Sequence, residues 1–167
     1  MNNLYIMCGL AFSGKSTLAR KIAERTRSRL IAFDKLWVEK EKEQPIIKGD
    51  EGWRFIRKVA QDEIVNSLKE GQSVVYDDNN VRFEHREEVR EIARNLRANP
   101  IVIYLNTPME LIRERELVNK TTGERHEVES ENFQKVVDQL EIPTSSENVL
   151  EFTSETDTEK FLSELPK

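Results

Sequence analysis

The order of apolar and polar positions along the chain predicts strands that alternate with helices. A short apolar run at residues 4–8 is followed by helical spacing at 15–26. The alternation continues, with strands predicted at 29–33, 73–76, 101–105 and 149–152 and helices at 53–69, 83–97, 109–119, 133–140 and 158–165. Strands interleaved with helices indicate a parallel sheet covered on both faces. The predicted fold class is therefore α/β, in three layers, with about five mostly parallel strands.

Two polar stretches interrupt this alternation. Residues 40–50, KEKEQPIIKGD, lie between the second predicted strand and its helix, and they either line a substrate pocket or form a plain loop. Residues 120–131, KTTGERHEVESE, are polar and contain Gly123. They are typical of an exposed segment, and we interpret the region of about 113–131 as a small helical lid.

Composition narrows the class of protein. The 167 residues fit one domain spanning 1–167, and 37% hydrophobic residues are enough for an ordinary core. The net charge of −5 disfavours indiscriminate binding to nucleic acid. The single cysteine, Cys8, excludes an internal disulfide and is expected in the core, and no apolar run approaches the ~20 residues of a membrane span. The N-terminus lacks the features of a leader, so we expect a cytoplasmic protein.

A phosphate-binding motif follows the first predicted strand. Residues 9–17, GLAFSGKST, satisfy G-x-x-x-x-G-K-[ST] between a strand and a helix, the context that this motif requires. The glycines let backbone N–H groups approach phosphate oxygens, Lys15 is expected to bridge the β- and γ-phosphates, and the Ser16 hydroxyl is expected to ligate Mg²⁺. The predicted cofactors are ATP and Mg²⁺, and the predicted nucleotide-binding residues are Gly9, Ala11, Phe12, Ser13, Gly14, Lys15, Ser16 and Thr17.

Three acids follow predicted strands at the edge that carries this loop. Asp34 ends the run LIAF, and Asp77 and Asp78 end the run VVY. Ligand sites in open parallel sheets lie beyond the carboxyl ends of the strands, which suggests a base or a carboxylate that orients an acceptor hydroxyl. The alternative is that these residues are helix caps or turn residues. One member of the Asp77/Asp78 pair is expected to reach Mg²⁺ through water.

Arginines follow one stripe of the predicted helix at 83–97. Arg82, Arg86, Arg90 and Arg94 recur every four residues among glutamates. We expect Arg90 and Arg94 to form a solvated, ion-paired face, and Arg82 and Arg86 to lie nearest the active edge.

Further arginines flank the predicted lid. A guanidinium of Arg113, Arg115 or Arg125 is placed to cover the transferring phosphoryl group, and Arg125 is the foremost candidate, followed by Arg115. We interpret the histidines, His85 and His126, as a helix-face and a lid-surface residue. The tryptophans, Trp37 and Trp53, are either core anchors or rings that stack on a flat substrate.

These segments together resemble the small P-loop kinases related to polynucleotide 5'-hydroxyl kinase, a group that includes zeta-toxin-like phosphotransferases. The resemblance covers most of the chain: GLAFSGKST is similar to the nucleotide loop, IAFDKL to the segment with the catalytic aspartate, and VVYDDNNVRFEHR to the segment that shapes the acceptor site. It implies a nucleoside-kinase-like P-loop fold, Asp34 as the base, an acceptor site lined by Asp78 and Asn80, and support from Arg86.

The chain also differs from that family. Trp37 stands where polynucleotide kinases have an arginine that holds a 3'-phosphate, so Trp37 is the predicted substrate contact at that position. The usual Asp-Thr-Asn reads Asp78-Asn79-Asn80. The segment from Leu111 to Glu147, with its Glu-Ile-Pro tripeptide at 141–143, is similar to the lid and following helix of predicted ATP-binding kinases of the group.

The sequence favours a kinase that transfers the γ-phosphoryl group of ATP to a hydroxyl of a small molecule or a nucleic-acid end. The alternative is a nucleotide-dependent ATPase or switch that acts on a protein partner, although such a module needs no acids and arginines at the strand ends. No Asn-Lys-x-Asp motif for guanine is present, and no obligate protein partner or membrane contact is indicated.

Overall fold

The structure is a computed structural model that describes residues 1–123 and 130–166, with the backbone alone at 130 and 131. Its centre is a five-stranded sheet in the order β2-β3-β1-β4-β5, and every pair of neighbours is parallel. The α/β prediction is thereby confirmed, with all five strands parallel. The strands are β1 (Asn3–Cys8), β2 (Arg29–Ala32), β3 (Val74–Asp77), β4 (Asn99–Asn106) and β5 (Val149–Thr153).

Helices cover both faces of this sheet. They are α1 (Lys15–Thr26), α2 (Phe33–Glu43), α3 (Asp50–Lys69), α4 (Phe83–Asn95), α5 (Met109–Thr122), α6 (Ser130–Asp138) and α7 (Thr158–Glu164), and a 3₁₀ turn lies at Ser145–Glu147. None of the helices in the described ranges is both long enough and apolar enough to cross a membrane.

The alternation of side chains along β1 divides the interior into two cores. Leu4, Ile6 and Cys8 point to one face, where they join apolar residues of α2, α3 and α4. Tyr5 and Met7 point to the other face, where α1 and α7 pack. Because successive residues of a strand face opposite sides, one apolar run supplies both cores. Cys8 is fully buried, as predicted, and burial raises the pKa of its thiol to about 11.

A third apolar cluster lies at the carboxyl edge of the sheet. It joins Leu10 and Phe12 of the phosphate-binding loop to Ile112 of α5 and Phe133 of α6. A segment more than a hundred residues away in sequence therefore packs directly on the loop between β1 and α1.

Element boundaries differ from the prediction around β2. The strand ends at Ala32 rather than at residue 33, and residues 33–43 form helix α2, which the sequence reading had missed. The irregular stretch predicted at 40–50 shrinks to 44–49, and α3 begins at Asp50 rather than at 53. A strict alternation of strands and helices predicts one helix after each strand. Two helices, α2 and α3, follow β2, so the pattern does not predict the first of them.

The predicted lid is in part regular helix. Helix α5 continues to Thr122, so its last ten residues occupy the first ten positions of the predicted lid at 113–131. Helix α6 then begins at Ser130. Residues 124–129, which include Arg125 and His126, lie outside the described residues.

Candidate active site

The phosphate-binding loop between β1 and α1 is fixed at its start by a glycine. Gly9 has φ +151°, and a Cβ there would lie 3.2 Å from the carbonyl oxygen of Leu105 and 3.3 Å from Ser13 Oγ. Its N–H donates to the carbonyl oxygen of Asn79 at 3.0 Å. A larger residue would be strained and crowded, so Gly9 lets the loop lie against the ends of two other strands.

Inside the loop, polar groups converge on a small space. The Lys15 ammonium is buried and donates to the carbonyl oxygen of Leu10 at 2.7 Å. Ser13 is also buried, and its Oγ has no hydrogen-bond partner among the described residues. Buried polar atoms normally have partners, and a phosphate oxygen would provide one here. The N-terminus of α1 adds positive potential at the same place, so these residues fit a nucleotide phosphate.

Lys15 lies among the acids predicted for the site. Burial lowers the pKa of its ammonium, and the carboxylates of Asp77, Asp78 and Asp34 oppose that change by attraction. The three acids come from β3, the loop after it and α2, so they are brought together only by the fold. The prediction that they gather at the edge carrying the phosphate loop agrees with this geometry.

Asp77 and Ser16 form the candidate metal site. Burial raises the pKa of the Asp77 carboxyl, while Lys15 and a hydrogen bond from the Ser16 side chain oppose the rise. A hydroxyl beside a carboxylate is the all-oxygen donor set that Mg²⁺ prefers. Within the described ranges no three His, Cys, Asp or Glu residues could hold a metal by themselves. The residues therefore fit an ion shared with nucleotide phosphates.

Asp34 lies in the first turn of α2, where its side chain is exposed. The prediction placed it at the end of a strand. A carboxylate in the first turn of a helix interacts favourably with the helix dipole. Asp34 therefore stabilises the start of α2 and is also the acid predicted to act as the base.

Asp78 is held by its neighbours. Its Oδ2 accepts a hydrogen bond from the Tyr76 hydroxyl at 3.1 Å, and its Oδ1 accepts one from the Asn79 N–H at 2.7 Å. Burial, together with the Asp78 charge, raises the pKa of the Tyr76 hydroxyl well above its ordinary value. The phenol thus stays protonated and remains a donor that orients the carboxylate.

Asn80 is predicted to line the acceptor site and Arg86 to support it, and both side chains are buried. The Asn80 amide donates to the carbonyl oxygen of Met7 at 2.9 Å, and Arg86 Nη1 donates to the carbonyl oxygens of Asn80 and Val81 at 3.0 and 2.9 Å. Arg86 also pairs with Glu147 at 2.6 Å, and each side chain is 1% exposed. Arg86 therefore supports the loop after β3 from behind, while Asn80 Oδ1 is buried without a hydrogen-bond partner among the described residues.

The electrostatics of the Arg86–Glu147 pair favour both charges. Burial opposes the charge on each side chain. Burial is the largest single effect, but the hydrogen bond to Glu147 and the attraction of the surrounding negative charges together outweigh it and raise the pKa of Arg86. Hydrogen bonds from Arg86 and the Thr144 N–H, together with the charges of Arg86 and Arg90, likewise lower the pKa of Glu147. The pair joins α4 to the 3₁₀ turn before β5.

The prediction of a solvated face holds for Arg94 but not for Arg90. Arg94 is exposed and pairs with Glu87. Arg90 pairs with the same carboxylate, yet it is 7% exposed and donates to the carbonyl oxygen of Ser146 at 2.9 Å. The 3₁₀ turn covers this part of the helix stripe, which the local spacing of charges does not reveal.

A cavity of about 610 Å³ opens beside the loop, on the side away from the acids. It is large enough for a nucleoside. Arg115 lines it and donates to the carbonyl oxygens of Phe12 and Ser13 at 3.1 and 3.0 Å. This arginine thus lies on the nucleotide side of the loop. Other residues lining the cavity include Gly14, Thr17, Lys21, Leu111, Val118, Phe152 and Thr158.

Trp37, Trp53 and His85 lie in or next to the elements α2, α3 and α4, which pack on one face of the sheet. Trp37 is half-buried and packs beside Phe33, with ring centroids 6.3 Å apart, and Trp53 is 38% exposed. His85, in the first turns of α4, is half-buried. Burial, followed by the charges of Arg57 and Arg82, lowers the pKa of its imidazole.

Sequence reasoning missed two groups of residues. The first comprises the cavity wall from α5, β5 and α7, since those residues come together only when the sheet forms. The second is Arg57 of α3, whose charge acts on Tyr76, the donor to Asp78, and on His85. For the missed helix α2 a signal existed, because Phe33, Leu36 and Trp37 have helical spacing behind an acidic first turn.

Solved structures share this fold. The chain is similar to a gluconokinase from Sinorhizobium meliloti 1021 (TM-score 0.67, 21% identity, 96% of this chain and 87% of that chain). It is similar to the Mycobacterium tuberculosis APS kinase in complex with AMPPNP and APS (TM-score 0.73, 13% identity, 98% of this chain and 94% of that chain). It is also similar to Chaetomium thermophilum Kti12 in complex with ADP-AlF3 (TM-score 0.76, 20% identity, 96% of this chain and 95% of that chain). The chain therefore shares the fold of these three proteins.

The sequence comparisons place the chain in a family. No curated protein gives a significant match to the sequence. A family profile described as an AAA domain matches residues 4–143. Because that match includes the phosphate loop, the acids and most of the sheet, the chain belongs to this AAA domain family.

Proposed function

We propose that the protein is an ATP- and Mg²⁺-dependent kinase that transfers the γ-phosphoryl group to a hydroxyl of an acceptor. The observation that carries the proposal is the position of Lys15, which lies in the phosphate loop and within the field of three carboxylates, Asp34, Asp77 and Asp78. Nucleotide hydrolysis by itself needs no third acid on a separate helix, whereas phosphoryl transfer needs a group that orients the acceptor.

In this proposal each side of the loop has its own role. The cavity bordered by Arg115 takes the nucleoside, and the buried loop with Ser13 and Lys15 takes the phosphates. Ser16 and Asp77 hold Mg²⁺, which neutralises phosphate charge when bound. The acceptor enters on the opposite side, where Asp34 accepts the proton of its hydroxyl and Asp78 limits its position.

Catalysis of this kind depends on positioning and charge. Lys15 stabilises negative charge as it develops on the transferred group, and the buried surroundings strengthen that interaction because water is excluded. We infer that residues 113–131 act as the lid of a single kinase domain and that Arg125 covers the transferred group. We also propose that the protein is related to polynucleotide kinases, so that a nucleic-acid end is one of the candidate acceptors.

The second candidate is a nucleotide-dependent switch that acts on a protein partner. It is favoured by the similarity to Kti12, which was solved with ADP-AlF3. The kinase hypothesis explains the observations at least as well as the switch hypothesis. The gluconokinase and the APS kinase have the same fold, and this chain places a third acid, Asp34, near Lys15 of the phosphate loop.

The test is mass spectrometry of a metabolite and RNA extract after incubation with the protein, Mg²⁺ and γ-¹⁸O-labelled ATP. We expect one labelled acceptor. Asp34→Asn should lower the turnover by about a hundredfold or more, since removal of a general base typically costs that much, while nucleotide affinity stays the same. Asp50→Asn is the matched control, because Asp50 is an exposed acid in the first turn of α3.

Label found only in free phosphate would contradict the kinase and favour the switch. Unchanged turnover in Asp34→Asn would show that Asp34 is not the base. Loss of nucleotide binding in Lys15→Ala would at the same time support the assignment of the phosphate loop.

A further inference from the structure

Arg57 carries a buried donor atom that has no hydrogen-bond partner among the residues that the structure describes. Arg57 lies near the start of α3, its side chain is half-buried, and its Nε is fully buried without a hydrogen bond. Across the described ranges it forms no ion pair, although Arg29, Arg86 and Arg94 each pair with a glutamate. A buried N–H donor without an acceptor is unusual in a folded protein, so this one calls for an explanation.

Helix geometry places Arg57 at the carboxyl edge of the sheet. Helices α3 and α4 each lie in a connection between two parallel strands. Both therefore begin at that edge and run back across the sheet. Gln61 Nε2 donates to Glu88 Oε2 at 2.9 Å and so aligns the two helices. Arg57 lies one turn before Gln61, and His85 lies one turn before Glu88, which puts both at the end of the helix pair that is nearest Asp78.

The surrounding charges agree with this placement. The Arg57 charge acts on the Tyr76 hydroxyl, the group that donates to Asp78, and on the imidazole of His85. Asp78 already accepts hydrogen bonds from Tyr76 and from a backbone N–H. Arg82 also faces His85, but it pairs with Glu84 at 2.9 Å. Arg57 is therefore the guanidinium that remains available here.

A guanidinium selects a particular kind of ligand. Its planar donors match the oxygens of a phosphate, sulfate or carboxylate in a two-point contact, and such charge-assisted hydrogen bonds are about twice as strong as neutral ones. This position is separate from the phosphate loop, because α3 packs on the opposite face of the sheet from α1. Trp53 lies one turn before Arg57 and offers a partly exposed ring on the same side of the helix.

We propose that Arg57 binds an oxyanion group of the phosphoryl acceptor, so that the acceptor is an anionic hydroxyl compound such as a sugar acid, a sugar phosphate or a nucleotide with a terminal phosphate. The assignment of this anion to an acceptor rests on the proposed kinase function. The anion site itself requires only the geometry around Arg57.

The first test is binding of inorganic phosphate to protein whose phosphate loop is saturated with Mg²⁺ and a non-hydrolysable ATP analogue. The readout is the NMR signal of the His85 ring, assigned with His85→Asn. We expect a saturable shift in the wild type, a loss of affinity of about tenfold or more in Arg57→Gln, and a partial loss in Arg57→Lys, which keeps the charge without the two-point contact.

Arg25→Gln is the control, because Arg25 is an exposed arginine in the last turn of α1, on the opposite face of the sheet. It should bind phosphate as the wild type does. Equal phosphate affinity in wild type and Arg57→Gln, or the absence of a saturable shift in the wild type, would overturn the proposal. Thermal unfolding of each variant confirms that the fold is retained.

The second test separates the anion site from the kinase function. Acceptors are offered in pairs that differ only in an anionic group, for example a polyol with and without a phosphate or a carboxylate, together with labelled ATP. We expect label on the anionic member alone. Equal labelling of both members would overturn the role of Arg57 and leave the kinase intact. Phosphate binding that depends on Arg57, without label on any acceptor, would support the anion site and contradict the kinase.

Discussion

Arg86 and Glu147 show how a single contact positions the candidate site. The pair is buried, and Arg86 also holds the carbonyl oxygens of Asn80 and Val81 in the loop that follows β3. The N–H of Gly9 in turn donates to the carbonyl oxygen of Asn79. A charge pair beneath the surface thereby supports both the acidic loop and the start of the phosphate loop.

Loss of one partner of this pair should destabilise the whole protein. We expect Arg86→Met to lower the free energy of unfolding by about 3–5 kcal/mol, because Glu147 would keep a buried charge without a partner. The double variant Arg86→Met/Glu147→Leu should lose less than the sum of the two single variants. Urea unfolding measures these differences. The control is Arg94→Met, whose exposed pair with Glu87 contributes about 0–1 kcal/mol, and equal losses in Arg86→Met and Arg94→Met would contradict the expectation.

At the scale of elements, the connection between α2 and α3 fixes how the helix that carries Asp34 packs against the helix that carries Arg57. Gly52 lies at this contact, where a Cβ would approach the carbonyl oxygen of Ile47 to 2.1 Å and the ring of Trp37 to 2.8 Å. The glycine lets the start of α3 pack closely against α2, and α2 carries Asp34. The distance between Asp34 and Arg57 therefore depends on this packing.

Substitution of Gly52 should open that contact. We expect Gly52→Ala to cost about 1–3 kcal/mol of stability through overpacking. The acceptor KM should rise while nucleotide affinity stays the same, and the Trp37 fluorescence should change. Gly71→Ala is the control, since Gly71 has φ +81° with open space around it and lies in a turn after α3. Its backbone strain of about 1–2 kcal/mol should leave the acceptor KM unchanged. Unchanged acceptor KM in Gly52→Ala would show that the helix contact does not position Asp34.

At the scale of the whole molecule, the strand order brings distant segments to one edge. β1 lies at the centre between β3 and β4, so the phosphate loop after β1 lies beside the acidic loop after β3. β2 follows next in the sheet, and α2, which carries Asp34, begins directly after it. The cavity for the nucleoside lies on the other side of β1, toward β5. Nucleotide and acceptor are thereby expected on opposite sides of one loop.

Binding of nucleotide should stabilise this assembly by mass action. A non-hydrolysable ATP analogue with Mg²⁺ at about 100 times its Kd should add about 2.7 kcal/mol, which corresponds to a rise in Tm of about 5–10 °C for a protein of this size. Lys15→Ala should abolish the rise. Lys58→Ala, which removes an exposed ion pair with Asp62, should keep it. A thermal shift in Lys15→Ala equal to that of the wild type would contradict the assignment of the phosphate loop.

The sequence by itself determined the class of fold, the phosphate loop and the edge of the sheet that carries the site. Those features are local: the apolar runs form buried strands, GLAFSGKST needs a strand before it and a helix after it, and acids that follow parallel strands share one edge. Cys8 and the order of most elements follow from the same short-range patterns.

Only the tertiary structure decided which of the charged residues reach the site. Arg86, Arg90 and Arg94 have the same spacing in the sequence, yet two are buried because the 3₁₀ turn before β5 covers them and the third is exposed. The partner of Arg86 is 61 residues away, and the surroundings of Arg57 come from two other elements. Burial and charge pairing are properties of contacts between elements, and a local pattern fixes the face of a helix without fixing what packs against that face.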